Sequence, residues 1–319
     1  MTNRDQWLTV PDQISSYLQA IDEALADDSK FSTFKQDFRY QYILEHLGRE
    51  RGAGLWSFLK DKVSEEDILK CQINDVFGSP QVYEYDGVTI SPTTLRYIKS
   101  AYYLNKMFGS LDNFSILEVG GGYGGLCTVL NTLYDIQKYT LVDLEGPGKL
   151  QDKYIRTIEN YETSIGYRNS NIKHEIVCSL DDLGDCEEYD LIISEFAFSE
   201  LDMHLQKQYL SKFSLISKGY IGSNACYDRA EQFFGRSRML NNIDIVEALK
   251  DNNAALRGVY DSHPSGEAED LGVIYWGCTL SEEEKSKKRI EYNEVIINQF
   301  KESKYDEAKI KEILTPITL

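Results

Sequence analysis

Two hydrophobic periodicities divide this chain. From residue 115 to residue 278, short apolar runs recur between segments whose apolar positions follow helical spacing, the pattern of strands alternating with helices. The runs predict strands at Ser115–Val119, Tyr139–Val142, Lys173–Cys178, Tyr189–Ser194, Gly219–Ser223, Ala255–Tyr260 and Leu271–Cys278. Helices fit the intervals, for example Leu150–Tyr161, Gln206–Ile216 and Ile243–Asp251. Such alternation implies an α/β fold built on a doubly wound sheet of seven strands. Only Asp261 to Asp270 separate the last two strands. That is too short for a helical crossover, so these two are expected to pair as a hairpin with the last strand antiparallel.

Over residues 1 to about 70 the strand signal is absent. Ile14, Tyr17, Leu18, Ile21 and Leu25 recur at helical spacing, a second helix is predicted over Phe34–Leu47 with Gly48 ending it, and a third fits Leu55–Val63. Their aromatic faces suit a core, or alternatively a lid over a substrate. Gln81 to Ile90 alternates around Asp86-Gly87, a hairpin signal. Ser91-Pro92 then opens a helix, serine as its cap and proline in its first turn, with Tyr97, Ala101, Leu104 and Phe108 as its apolar stripe. Residues 281–319 mix charges of both signs and read as one or two solvated helices, docking or oligomerising. Three regions follow: 1–90, mainly helical, serving as a lid, a substrate region or an oligomerisation region; 91–280, the sheet domain; and 281–319, a helical tail.

The chemistry concentrates in S-I-L-E-V-G-G-G-Y-G-G, residues 115–125. A strand, a glycine turn and a helix-compatible run bring bare backbone N–H groups and a helix N-terminus up to a ligand. Asp143, 23 residues after Gly120 at the end of the next strand, can accept hydrogen bonds from ribose hydroxyls. Gly120, Gly122 and Gly125 satisfy G-x-G-x-x-G, so a dinucleotide is one reading and a plain structural turn another. Glu118, two residues before the first glycine, tilts the choice: a carboxylate there can meet the charged amino-acid portion of S-adenosylmethionine, which has no pyrophosphate to grip. The stretch resembles the first motif, E/D-x-G-x-G, of the class I S-adenosylmethionine-dependent methyltransferases, whose sheet is Rossmann-like.

A narrower resemblance rests on I-S-P-T-T-L-R-Y (90–97), E-V-G-G-G-Y-G-G-L (118–126), T-L-V-D-L (140–144) and D-L-I-I-S-E-F-A-F-S-E-L (190–201), with N-D-V-F-G-S-P (74–80) and I-Y-W-G (274–277) beside them. These are similar to motifs of the bacterial sugar O-methyltransferase family over roughly residues 35–280. The resemblance implies methyl transfer to a sugar hydroxyl, on a nucleotide-activated or glycan-bound sugar of polysaccharide or natural-product biosynthesis, leaving S-adenosylhomocysteine. Where the family usually has proline after D-L, this chain has Glu145, with Pro147 two residues later.

Position and resemblance together propose the cofactor contacts. They are Arg96, Glu118, Gly120, Gly122, Tyr123, Gly124, Asp143 at the ribose, Leu144 on the adenine, Ser179 and Leu180 at the adenine edge, Ser194 and Glu195. Arg96 has the alternative of a surface ion pair. Proton removal from a sugar hydroxyl calls for a base near the strand ends. Glu195, Glu200, His204 and His263 are the catalytic candidates, the first three with Ser199 and Asp202 in the loop after the fourth strand, His263 between the last two strands, and Asn224, Tyr227 and Asp228 in the similar place after the fifth. Each histidine also has a bland surface or loop reading. A metal held by Glu195, Glu200, Asp202 and His204 is the alternative mechanism, although no metal is assigned. Noncatalytic binding and nicotinamide-dependent sugar modification are the competing functions.

Charge narrows the partners. A net charge of −18 over 319 residues argues against nucleic acid and against anionic membranes. Six scattered cysteines without CxxC or a zinc spacing suit buried thiols. The opening M-T-N-R-D-Q-W lacks an apolar leader core and no run is long enough to span a bilayer, so a cytoplasmic enzyme is expected. The partner is a small-molecule or glycan sugar, with a homo-oligomer as an open reading.

Overall fold

The computed structural model describes residues 11–166, 172–184, 186–223, 240, 242–252, 254–258 and 272–278. The N-terminal region opens with α1 (Pro11–Ala26) and the single turn α2 (Asp28–Phe31), where the Asp27 side chain caps by accepting from Ser29 N. The helix predicted over Phe34–Leu47 is broken. A 3-10 turn at Phe34–Gln36 gives way to one α turn, α3 (Phe38–Gln41). Asp37 is the reason: at ψ 123° its carboxylate accepts from Arg39 N, a local bond that competes with a continuous ladder. Gly48 is the N-cap of α4 (Arg49–Leu59) rather than the end of a preceding helix. Ser64 caps α5 (Glu65–Cys71), which the apolar spacing missed.

The hairpin of β1 (Tyr83–Tyr85) and β2 (Val88–Ile90) turns at Asp86-Gly87. Ser91 then caps α6 (Pro92–Phe108), accepting from Thr94 N with Pro92 in the first turn, a cap contributing about 1 kcal/mol. Tyr97, Ala101, Leu104 and Phe108 are all buried, as their spacing predicts.

The main sheet contains β3 (Ser115–Val119), β4 (Lys138–Val142), β5 (His174–Val177), β6 (Leu191–Glu195), β7 (Lys218–Ser223), β8 (Ala255–Gly258) and β9 (Gly272–Trp276), in the order β5-β4-β3-β6-β7-β9-β8. β3 to β7 are parallel, whereas β9 is antiparallel to both β7 and β8. The last two strands thus pair antiparallel, as expected, and β9 inserts between β7 and β8.

Alternate residues serve opposite faces. Ile116, Tyr139, Leu141, Leu191 and Ile193 join a core with α7 (Gly125–Leu133), α8 (Glu145–Ser164), α6 and the N-terminal region. Leu117, Val119, Val142, Ile192 and Ile221 pack with α9 (Met203–Phe213) and α10 (Asn242–Ala248). The strand order reverses at β3, which has β4 on one side and β6 on the other. Ligands of doubly wound sheets gather in the crevice at such a switch point.

Candidate functional site at the carboxyl ends of the central strands

At the end of β3 the backbone turns through Gly120, Gly122 and Gly124, all at positive φ (77°, 59° and 88°). Gly124 is the left-handed N-cap of α7, a conformation that costs any side-chain-bearing residue about 1–2 kcal/mol. Gly122 matters for space as well, because a Cβ there would lie 3.1 Å from Leu44. The segment after α3 therefore closes directly over the turn. At the end of β4, Asp143 Oδ1 accepts from Leu144 N at 2.8 Å, and Oδ2 accepts from Gln151 Nε2 at 2.7 Å. Gln151 Nε2 also donates to Gly122 O at 3.1 Å, so one buried amide ties the acid to the glycine turn. Burial pushes the Asp143 carboxyl up to about 7, against these hydrogen bonds. Glu118 is buried and accepts from the Tyr139 hydroxyl at 2.8 Å. Burial, with Glu195 and Asp143 nearby, pushes it up to about 8.

A second cluster faces this one from β6 and α6. Glu195 ends β6 opposite Gly222, where a Cβ would come within 3.2 Å of Glu195 Oε2. Phe196, next in the chain, has φ 72°. This strained turn is pinned by Phe196 N donating to Gly222 O and by Ser199 N and Oγ donating to Phe196 O. Strain of this kind persists only where surrounding structure enforces it. Arg96 and Lys99 of α6 lie within electrostatic reach of Glu195, and Arg96 also of Glu45. Glu45 Oε2 accepts from Thr93 Oγ1 at 2.8 Å. Burial raises both carboxyls, with Ser100, Arg96 and Lys99 opposing at Glu195, and Lys35, Thr93 and Arg96 opposing at Glu45. Glu45 Oε1, Glu195 Oε1 and Gln151 Oε1 are buried without a hydrogen-bond partner among the described residues. An unpaired buried polar atom costs roughly 1–3 kcal/mol, and three such atoms belong to these two clusters.

The candidates read from the sequence divide accordingly. Glu118, Gly120, Gly122, Gly124, Asp143 and Glu195 gather at the strand ends. Arg96 stands half-buried between Glu45 and Glu195, its guanidinium 5.3 Å from the Tyr97 ring centroid, rather than in a surface ion pair. Leu144 is the N-cap of α8, and Ser179 and Leu180 follow β5, all half-buried. The Tyr123 side chain is spent in the core, its hydroxyl accepting from Asn74 Nδ2 at 3.0 Å. Ser194 is equally engaged, donating to Val119 O and accepting from Phe198 N. Glu200 is half-buried in a 3-10 turn (Ala197–Glu200). Asp202 caps α9 through His204 N, and His204 itself is exposed beside Gln208. His263, Asn224, Tyr227 and Asp228 lie outside the described residues, as does 281–319. Among the described residues, no group of three or more His, Cys, Asp or Glu is placed to hold a metal ion, and no helix is long and apolar enough to cross a membrane.

Sequence reasoning missed Gln151 and Glu45. Gln151 sits one turn into α8 with no motif to mark it, and Glu45 lies in a segment whose sequence reads as ordinary helix.

No family model matches the chain, and no curated protein does. Solved structures of methyltransferases share parts of the fold. A candidate O-methyltransferase of Nostoc punctiforme is 11% identical over 57% of this chain and 55% of its own, with a TM-score of 0.41. The geranyl diphosphate C-methyltransferase of Streptomyces coelicolor, in complex with S-adenosyl-L-homocysteine, is 12% identical over 57% of this chain and 80% of its own (TM-score 0.40). Magnesium protoporphyrin IX methyltransferase of Synechocystis, with bound S-adenosylmethionine, is 13% identical over 69% and 95% (TM-score 0.39). This chain thus spans about half the length of the Nostoc protein it resembles.

Proposed function

We propose that this chain is an S-adenosylmethionine-dependent O-methyltransferase acting on a sugar hydroxyl. One observation supports the cofactor above all: Asp143, Gln151 and the left-handed glycine turn are joined by hydrogen bonds at the switch point of the sheet. Asp143 would take the ribose hydroxyls, Gln151 Oε1 is a further acceptor beside it, and Gly120 to Gly124 would admit the amino-acid portion. Glu118 would neutralise positive charge there, as its buried carboxyl gains from any nearby cation. When bound, the cofactor supplies a methyl group on a sulfonium, which passes to the acceptor oxygen as the S–C electron pair returns to sulfur.

The chain must then align that oxygen and receive its proton. Glu195 is the base we favour over Glu200 and His204. It alone of the three has a buried, unpartnered oxygen at a strand end, on a strained turn that fixes its direction. A raised carboxyl suits general-base work near neutral pH. The sugar acceptor is supported by the unpartnered carboxylate oxygens, which call for hydroxyl donors.

Calorimetry with S-adenosylhomocysteine against NAD tests the cofactor. S-adenosylhomocysteine is expected to bind and NAD not to; the reverse result would remove methyl transfer. A methyl-donor assay over nucleotide sugars, with the product mapped by NMR, tests the acceptor.

A further inference from the structure

The segment after α3 meets both the glycine turn and α6. Leu44 reaches the glycine turn, and the next residue, Glu45, comes in opposite α6, where Thr93 fixes one of its oxygens. Its other oxygen is buried and unpartnered. Glu195 presents the same condition from the sheet side. Arg96 lies within electrostatic reach of both. Two carboxylates supported by one guanidinium, each with an acceptor oxygen unused, ask for a ligand that brings two donors. Neither oxygen is answered by the ribose, since Asp143 stands at a different strand end.

We propose that Glu45 is an acceptor-binding residue, and that Glu45 and Glu195 together take two hydroxyls of one polyhydroxylated acceptor. This rests on the methyl-transfer reading. It adds that the acceptor must present at least two hydroxyls to the cleft, one for transfer at Glu195 and one held by Glu45. An aliphatic or phenolic mono-alcohol would leave Glu45 buried and unpaired.

The test uses the full chain, with UDP-glucose, UDP-galactose and dTDP-glucose as first acceptors and monodeoxy analogues of whichever is methylated. For the wild type, removing the hydroxyl that meets Glu45 is expected to lower kcat/KM about 10- to 100-fold, the cost of an unsatisfied buried acceptor. In Glu45→Ala the parent acceptor loses a similar factor, while the deoxy analogue falls no more than about threefold below the parent, as in a double-mutant cycle between contacting groups. S-adenosylhomocysteine affinity is expected to stay within about threefold. Glu45→Gln, which keeps the shape and one acceptor, serves if the alanine variant does not fold, and should show a deoxy penalty smaller than the wild type's. An unchanged deoxy penalty in these variants, with S-adenosylhomocysteine still bound, overturns the role of Glu45 alone. Methylation of a mono-alcohol as efficiently as a sugar overturns the two-hydroxyl requirement. A wild-type chain that does not bind S-adenosylhomocysteine overturns both this proposal and the reading beneath it.

Discussion

Asp143 and Glu118 are carboxyls kept from charging by burial, and ligand binding should reverse that. A ribose donating to Asp143, or an ammonium near Glu118, favours the ionised form and lowers its pKa. Binding then expels protons. Affinity for S-adenosylhomocysteine is therefore expected to rise as pH increases from about 6 to about 9, since the ligand-free Asp143 and Glu118 carboxyls titrate at about 7 and about 8, and to level off above. Calorimetry in buffers of different ionisation enthalpy would report the proton release, and flat affinity across that range would remove the charged role of both acids. Gly122→Ala is expected to cost about 1–2 kcal/mol, because a left-handed φ meets a Cβ pressed on Leu44. Thermal unfolding measures it, with S-adenosylhomocysteine binding lost in parallel.

At the scale of elements, the turn after β6 carries the sharpest expectation. Phe196 holds a conformation that suits glycine, so Phe196→Gly relieves about 1–3 kcal/mol of backbone strain, offset by the lost packing of a half-buried ring and the greater freedom of the unfolded chain, while freeing the direction of Glu195. Stability should change little, yet methyl transfer should fall at least tenfold by the S-adenosylhomocysteine-release assay; a variant both stable and fully active would mean that the strain serves no function. The strands and the Ser91 cap were legible because they depend on local spacing and on one side chain beside its own helix. The break at Asp37 was not. A single side-chain-to-backbone bond outweighed helical spacing there, and periodicity does not register such competition. The positive φ at Phe196 left no mark either, since nothing in S-E-F announces a turn that the Gly222 and Ser199 contacts pin.

In the whole molecule, the N-terminal region and one face of the sheet share a single core. Ile21, Phe34 and Tyr40 pack in the same cluster as Tyr123, Leu150 and Ile155. Lys35 sits fully buried at this junction, donating to Asn74 O at 2.7 Å and Tyr154 Oη at 3.0 Å, with its ammonium 4.2 Å from the Tyr123 ring centroid. Burial lowers it to about 8, with Glu45 and Asp75 opposing. Between about 8 and its unfolded value near 10.4, the unfolded chain holds a proton that the folded chain has released. The wild type should therefore gain stability relative to Lys35→Met as pH rises through that window, by up to about 1.4 kcal/mol per pH unit. Urea unfolding at several pH values would show it, and parallel curves would refute it. Residues 91–280 expressed alone are expected to aggregate or unfold without cooperativity, because removing 1–90 exposes the apolar face of α8; a cooperative melt of that fragment would contradict the shared core.

The amino-acid sequence alone determined the alternating α/β order, the antiparallel last strand and the glycine turn with its distant acid. Each of these follows from short-range spacing, from connection length or from the conformations open to a bare backbone. Only the tertiary structure decided which acids meet. Glu45 and Gln151 carry no local signature, and they come to Arg96 and to Asp143 because packing across distant segments places Leu44 against Gly122 and α8 beside Asp143. His204 looked equally suited to chemistry, yet the folded chain leaves it in solvent, since the direction of a side chain depends on long-range contacts that no window of sequence contains.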